Sequence, residues 1–290
     1  MKNFDDFRFG ESSFSVVLGA LKYNLFKSLT SKSLDFFLRG RDIISITPQV
    51  FGVHEQALTN FIKLTSESGY NDFLVDIGAN IGLTSCQNGR GFKEVHMYEP
   101  NPLCCHILAV NATIALDKSK FTIHPVGLGD SDGQVKLTVP KHNWGGAFVN
   151  DSANSYSKEI LAQKDGFETI NQENYFDVEI DIKESATELQ SLFKDLTSRG
   201  LTKGVVKIDV EGYEVSVLKG LAKSLPIGMK VVVVFESWDK AFNIKEILDA
   251  FEGRATARQL YRHTPYNRAW PRLLKAMTLS LGLNFPTKLK

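Results

Sequence analysis

Apolar positions follow one spacing up to about residue 45 and another from residue 73 onward, and the change marks where a sheet should begin. In the early stretch Phe14, Val17, Leu18, Leu21, Leu25 and Leu29 recur at three or four, with the cluster Leu34, Phe36, Phe37 and Leu38 behind them. That spacing predicts an amphipathic helical lead-in laid over a hydrophobic face of the domain. The run Ile43-Ile44-Ser45-Ile46 predicts a short strand, and residues 54–64 predict a helix leading to Gly69. From Phe73 the pattern turns to short apolar runs, Phe73-Leu74-Val75, Val205-Val206-Lys207-Ile208 and Val231-Val232-Val233-Val234-Phe235, alternating with helical segments at 81–88, 103–116 and 243–251. Parallel strands read this way because helices cover both of their faces. With further strands at 95–99 and 121–126, the pattern predicts an open, mostly parallel α/β sheet.

Two stretches depart from the alternation. Residues 130–200 form a long insertion in which Gln134-Val135-Lys136-Leu137-Thr138-Val139 alternates like an antiparallel strand. The stretch 143–157, rich in Gly, Asn and Ser, reads as a loop, and loops at the carboxyl edge of such a sheet commonly carry substrate contacts. Residues 256–261 read as a closing strand, and residues 270–281 as an amphipathic helix with a basic face. The division is an N-terminal helical extension at 1–50, a main domain at 51–262 and a basic tail at 263–290, with no internal repeat.

Composition narrows the class. At 290 residues and 43% hydrophobic content the chain can bury a large core. No run of about eighteen uncharged apolar residues occurs and the amino terminus lacks a secretory layout, so a cytoplasmic protein is expected. Cys86, Cys104 and Cys105 fit neither a disulfide framework nor paired zinc spacing, and read as reduced, packed thiols. The net charge of +1 hides an asymmetry, since residues 254–290 hold eight Lys or Arg and no Asp or Glu. That tail suits an anionic partner such as the inner membrane face, which would make the protein peripheral there; a solvated tail or a helix packed on the domain explains it equally. Nucleic acid is not expected as a partner, because the central domain offers no basic groove or nucleic-acid motif. The oligomeric state is not legible.

The chemistry begins where the first strand meets its turn. Phe73-Leu74-Val75-Asp76-Ile77-Gly78-Ala79-Asn80-Ile81-Gly82 runs an apolar strand into a glycine-punctuated turn behind an acid, the opening of a nucleoside-cofactor pocket. Asp76 is expected to face the ligand. Glu99 closes the next strand about 20 residues beyond the turn, where a carboxylate can accept hydrogen bonds from both ribose hydroxyls. A dinucleotide site would read G-x-G-x-x-G, and a pyrophosphate would meet the charge of Asp76, so a nicotinamide-dependent dehydrogenase is disfavoured. A sulfonium cofactor with an amino-acid tail, S-adenosylmethionine, suits the acidic entry better.

A second acidic motif, Lys207-Ile208-Asp209-Val210-Glu211-Gly212-Tyr213-Glu214, ends a buried strand beside the first. Asp209 and Glu211 should face the crevice where open α/β sheets bind ligands. Glu214 is expected to be structural at a helix start, and Lys207 is assigned to the face opposite Asp209. Glu236 adds a carboxylate to the same rim. His142, in the insertion loop, is a further candidate base, while His96 and His124 fall within strand patterns and read as core or sheet-edge residues.

Taken together, Val75-Asp76-Ile77-Gly78-Ala79-Asn80-Ile81-Gly82, Tyr98-Glu99-Pro100-Asn101-Pro102, Val126-Gly127-Leu128-Gly129-Asp130 and Lys207-Ile208-Asp209-Val210-Glu211-Gly212 resemble the FkbM family of S-adenosylmethionine-dependent methyltransferases in order and spacing. The resemblance covers roughly residues 50 to 250, with Gly52 and Glu55 also in the family style. It implies the class I methyltransferase fold, a Rossmann-like seven-stranded sheet with a reversed last strand, and O-methylation of sugar or polyketide hydroxyls. It also implies that Asp76, Gly78, Ala79, Asn80 and Gly82 line the methionine end of the cofactor. Glu99 would hold the ribose with Asn101 beside it, and Asp130 would sit near the adenine. Asn143-Trp144-Gly145-Gly146-Ala147 looks like the family's glycine loop, with Phe148 where a hydroxyl residue is frequent.

Methyl transfer to a hydroxyl requires a positioned oxygen and somewhere for its proton to go. In one version Asp209 or Glu211 is the general base; in another, Asp209 and Glu236 hold Mg²⁺, which acidifies the hydroxyl. The acceptor is expected to be a glycan, in polysaccharide or glycolipid biosynthesis, or a small-molecule hydroxyl such as that of a polyketide. A catalytically silent cofactor-binding scaffold is the alternative from another class.

Overall fold

A computed structural model describes residues 13–29, 35–40, 42–151, 154, 170–236, 242–262 and 287–289. Its centre is a five-stranded, wholly parallel sheet. In chain order the strands are β1 (Phe73–Ile77), β2 (Glu94–Tyr98), β3 (Phe121–His124), β8 (Lys203–Ile208) and β9 (Lys230–Phe235), arranged spatially as β3-β2-β1-β8-β9. The order reverses direction at β1, so the crevice beyond its carboxyl end, between the connections from β1 and β8, is where such a sheet takes ligands.

Alternation along the strands splits the core in two. Phe73, Val75 and Ile77 face a cluster with Val206, Ile208, Phe193 and Leu221, under helices α6 (Ser185–Ser198) and α7 (Glu214–Ser224). Leu74 and Val205 face the other side with Ile62, Met97, Leu108 and Ala112, under α3 (Gln56–Glu67), α4 (Leu83–Asn88) and α5 (Pro102–Ala115). Strands covered on both faces in this way account for the unbroken apolar runs. His96 and His124 lie on adjacent strands with ring nitrogens 3.3 Å apart, and His124 stacks on Tyr98 at 4.2 Å between centroids. The three cysteines are free, Cys86 and Cys104 buried and Cys105 half-buried.

The insertion builds a second sheet rather than extending the first. Strands β4 (Gly127–Gly129), β5 (Gly133–Pro140), β6 (Phe148–Val149) and β7 (Tyr175–Glu184) are ordered β4-β7-β5-β6, with β5 antiparallel to both neighbours. The alternating run at 134–139 thus finds its partner in β7. The expected third strand at 121–126 divides: it ends at His124, and the chain resumes at Gly127 in the second sheet. Among the described residues the seven-stranded sheet is replaced by five and four strands. The expected closing strand pairs instead as β10 (Leu260–Arg262), antiparallel to β11 (Thr287–Leu289). The predicted tail helix at 270–281 lies outside the described residues.

The lead-in differs from expectation in two ways. Helix α1 (Ser13–Leu29) forms, but Phe14, Leu21 and Leu25 are 76%, 62% and 61% exposed, so among the described residues it covers no face of the domain. Both faces of the main sheet already carry their own helices, and the contact passes to Phe36 and Leu38, which tuck against the core beside α4 and α5. Asn111 clamps that segment, accepting from the Phe37 N–H at 2.6 Å and donating to the Phe37 and Ile81 carbonyls. The expected strand at 43–46 is instead the start of α2 (Ile43–Phe51), because Asp42 caps it through the Ile44 N–H and Gly52 closes it in the left-handed conformation at φ 74°. A short apolar run suits either period, and the caps decide it. No described helix is long and apolar enough to cross a membrane.

Candidate active site

Strand register sets the floor of the site. Asp76 on β1 and Lys207 on β8 are direct neighbours across the parallel ladder, and both are buried. The Lys207 ammonium lies 3.1 Å from Asp76 Oδ1, an ion pair rather than an aligned hydrogen bond, and donates to the Gly78 carbonyl at 2.8 Å. Ser85 on α4 donates to Asp76 Oδ2 at 2.6 Å. Burial pulls the Lys207 pKa down, but the Asp76 and Asp209 carboxylates outweigh it and leave it raised, so Lys207 is a fixed cation. Asp76 is absent from the cleft lining, its carboxylate held under the turn by Lys207 and Ser85. The expectation for Lys207 changes: it shares its face with Asp209, because side chains two apart on a strand point the same way. The Lys207 ammonium stands 3.6 Å from Asp209 Oδ2.

Above this floor lies a cleft of about 260 Å³. The chain enters it through Gly78 at φ 80°, where a Cβ would sit 1.8 Å from the Asp209 carbonyl oxygen, so only glycine serves. Gly78, Ala79 and Asn80 line the cleft, as does Glu99. The Glu99 carboxylate accepts from the Asn80 N–H at 2.7 Å and from the Asn101 N–H at 2.8 Å. Burial raises its pKa to about 7 despite those two donors. Asn80 holds a left-handed backbone at φ 51°, and its Oδ1 is buried without a hydrogen-bond partner among the described residues.

Three expected cofactor residues do other work. Gly82 starts α4 and packs on Leu108 and Cys86, where a Cβ would come within 2.5 Å of Leu108. Asn101 caps α5 by accepting from the Leu103 N–H. Asp130 is exposed, accepts from the Ser216 hydroxyl and lies outside the cleft lining.

The rim is acidic, with Asp209, Glu211 and Glu236 all lining the cleft. Asp209 is 40% exposed at its side chain, whereas Glu211 is buried on a left-handed backbone at φ 50°. Glu214 turns away and accepts from the Gly212 N–H at the start of α7, a structural role. Among the described residues no three His, Cys, Asp or Glu side chains gather as a metal site, so Mg²⁺ at Asp209 and Glu236 would need its other oxygens from water or the acceptor. His142 is exposed on the turn after β5 and does not line the cleft.

The histidine that does line it is His54, which sequence reasoning passed over. Its Nδ1 is buried with no hydrogen-bond partner among the described residues, and its Nε2 lies 3.7 Å from Glu55 Oε2. Burial first and the Lys207 charge second lower its pKa to about 4, against an opposing pull from Asp209 and Asp76. Glu55, half exposed, has a raised pKa from burial and from Asp209. Glu55, with Gly52 in the family style ahead of the first motif, was the signal in the sequence that pointed to this corner.

The loop after β5 closes the remaining side. Trp144, Gly145 and Gly146 line the cleft, and Gly145 approaches so closely that a Cβ would meet Ile44 Cδ1 at 2.1 Å and Asn80 Nδ2 at 2.3 Å. The segment before α2 braces the loop. The Arg39 guanidinium lies 3.9 Å from the centre of the Trp144 ring, pairs with Asp42 at 3.0 Å and donates to the Lys141 carbonyl. Asp42 in turn accepts from the Trp144 N–H at 3.3 Å. The Trp144 Nε1–H is buried without a partner among the described residues. Leu137, Phe148, Val149 and Ile180 of the second sheet add an apolar wall.

A family model described as Methyltransferase FkbM domain matches residues 76–262. The chain belongs to the FkbM methyltransferase family. Methyltransferase sdnD of Sordaria araneosa is 31% identical over 176 residues, which cover 58% of this chain and 67% of that protein. Methyltransferase 1 of Beauveria bassiana (strain ARSEF 2860) is 26% identical over 193 residues, 66% of this chain and 70% of that protein. The crystal structure of Methyltransferase FkbM from Methylobacillus flagellatus KT aligns at 16% identity and a TM-score of 0.40, covering 87% of this chain but only 57% of that one. The matched FkbM span begins at Asp76 near the end of β1 and holds the glycine turn, Glu99 and the acidic rim, while His54, Glu55 and the Arg39–Asp42 brace precede it.

Proposed function

We propose that this FkbM methyltransferase moves a methyl group from S-adenosylmethionine to a hydroxyl oxygen of a sugar, in polysaccharide or glycolipid biosynthesis. Family membership implies that donor, which supplies an electrophilic methyl on a sulfonium whose sulfur leaves uncharged. The residues present suit it. Glu99 keeps lone pairs for ribose hydroxyls beyond its two backbone donors, and Pro100, Val126 and Leu128 offer an apolar wall for the base. The observation that carries the reading is Asn80 Oδ1, a buried acceptor without a partner among the described residues on the glycine turn, beside a carboxylate rim that favours the cofactor's sulfonium and α-ammonium.

Asp209 is the residue proposed to receive the acceptor hydroxyl. It is the more exposed acid of the Asp209–Glu211 pair, and Lys207 fixes its carboxylate from below. Holding the oxygen in line is worth several kcal/mol of barrier, on the order of 7 in well-oriented systems. The apolar wall of the second sheet favours a second reading, in which the hydroxyl belongs to a polyketide or other small, partly apolar metabolite.

Methyl-labelled S-adenosylmethionine incubated with the protein and fractionated extract of its source separates the readings. Label in glycan or lipid-linked fractions is the expected result, and label in small soluble metabolites moves the assignment to the second. Cofactor binding with no label in any fraction overturns the transferase reading in favour of a silent binding protein.

A further inference from the structure

We propose that His54 takes the proton from the acceptor hydroxyl at Nδ1, with Glu55 holding its Nε2–H. The inference rests on the methyltransferase reading and deepens it.

Four observations converge on this pair. Consecutive side chains, His54 and Glu55, both line the same cleft, an arrangement tied to the left-handed backbone of Glu55 at φ 44°. That conformation is uncommon outside glycine and is retained where surrounding structure enforces it. The main chain there is pinned: the His54 N–H donates to Gln87 Oε1 at 2.9 Å, and Thr59 Oγ1 donates to the His54 carbonyl at 3.0 Å. Of the two ring nitrogens, Nε2 has a carboxylate oxygen at 3.7 Å, while Nδ1 has no hydrogen-bond partner among the described residues.

A neutral imidazole carries one N–H and one lone pair, and a carboxylate at one nitrogen draws the N–H to itself. At 3.7 Å the Glu55 carboxylate lies outside hydrogen-bond length, so it is its negative charge that favours hydrogen on Nε2 and leaves the lone pair on Nδ1. The charged groups around the ring are Glu55, Lys207, Asp209 and Asp76; burial and the Lys207 charge keep the ring unprotonated at neutral pH against the opposing pull of Asp209 and Asp76. The step balances as follows. The acceptor oxygen forms its bond to the methyl carbon as its proton passes to Nδ1, the carbon–sulfur bond breaks with its electron pair left on sulfur, and the imidazolium beside Glu55 later returns the proton to water. Asp209 holds the oxygen while His54 takes the proton, which divides the work between two residues of the cleft.

Three measurements test this. Nitrogen NMR of the full-length protein with ¹⁵N-labelled histidine, assigned against His54→Gln, is expected to show His54 neutral at pH 7 with Nε2 protonated and Nδ1 bare. In Glu55→Gln the tautomer preference weakens and turnover falls roughly tenfold. His54→Gln is expected to lose about a hundredfold in turnover, in the range of a lost general base, with S-adenosylhomocysteine affinity within about twofold of wild type. A wild-type protein that binds S-adenosylhomocysteine and transfers label, but whose Nδ1 is protonated at pH 7 or whose His54→Gln variant keeps full turnover, overturns the His54 assignment alone. Failure of the wild type to bind that ligand overturns the methyltransferase reading itself. Should His54→Gln not fold, the tautomer in the wild type and in Glu55→Gln still decides.

Discussion

Asp76 and Asn80 sit on the same strand-to-helix turn and are treated oppositely by the fold. The Asp76 carboxylate is met by Lys207 and Ser85, inside the protein and beneath the lining of the cleft. The Asn80 side-chain oxygen is buried too, yet nothing among the described residues meets it, and the same holds for His54 Nδ1 and Trp144 Nε1 across the cleft. Leaving a buried polar atom unpaired costs about 1–3 kcal/mol. Three such atoms around one cleft therefore separate two kinds of polar group. Those satisfied within the chain build the floor, and those left open form a wall that a bound molecule completes.

The contrast is broken most severely from below. Lys207→Met leaves Asp76 as a buried charge without its cation, and should cost about 3–5 kcal/mol of stability in urea unfolding. Replacing Asp76 by Leu as well should recover much of that loss. An unchanged unfolding midpoint in Lys207→Met would show that the floor is not structural.

Asp209→Asn sharpens the contrast from above. The variant should keep S-adenosylhomocysteine affinity within about twofold while turnover drops tenfold to a hundredfold through loss of acceptor positioning. Stability moving more than turnover would place Asp209 with the floor.

Glu99 lies between the two, because backbone donors hold it and it still faces the cleft. Its pKa in the fold is about 7, above the value of 4.5 for an ordinary glutamate. Between those values the folded protein holds a proton that the unfolded chain has released, so this group favours folding most below pH 4.5 and loses that contribution as pH rises through 7. Cofactor affinity should run the other way, rising as the carboxylate ionises near pH 7 to accept ribose hydroxyls. In Glu99→Gln both trends should flatten, and affinity above pH 7 should fall roughly tenfold. A wild-type affinity independent of pH between 6 and 8 would contradict this.

The smallest expected effect is at Trp144. Trp144→Phe keeps a ring under Arg39 but removes the Nε1–H. Acceptor KM should rise about fivefold, the value of one hydrogen bond near 1 kcal/mol, with stability nearly unchanged.

The parallel core was legible because its central strands are buried on both faces, and Phe73 to Val75 and Val205 to Ile208 announce that directly. The glycine turn, Glu99 and the acidic rim were legible because glycines and carboxylates have few other reasons to stand at strand ends. What escaped depended on contacts distant in sequence. The ion pair of Asp76 and Lys207 spans the register of two strands far apart in the chain. Strand parity alone would have placed Lys207 beside Asp209. His54 stood only as the start of the helix expected over 54–64 until the fold carried it to the cleft, whereas His142 had the right chemistry on a turn that leads elsewhere. The run at 43–46 became a helix through its caps, which apolar spacing does not weigh.

The central claim is that the open polar atoms of the wall belong to bound molecules, with Asn80 Oδ1 on the cofactor's side, and calorimetric titration with S-adenosylhomocysteine tests it most directly. Wild type should bind one equivalent, and Asn80→Gly, which keeps the left-handed turn but removes the open oxygen, should bind roughly tenfold more weakly at an unchanged unfolding midpoint. Equal affinity in the two proteins, or no binding by wild type, would contradict the account.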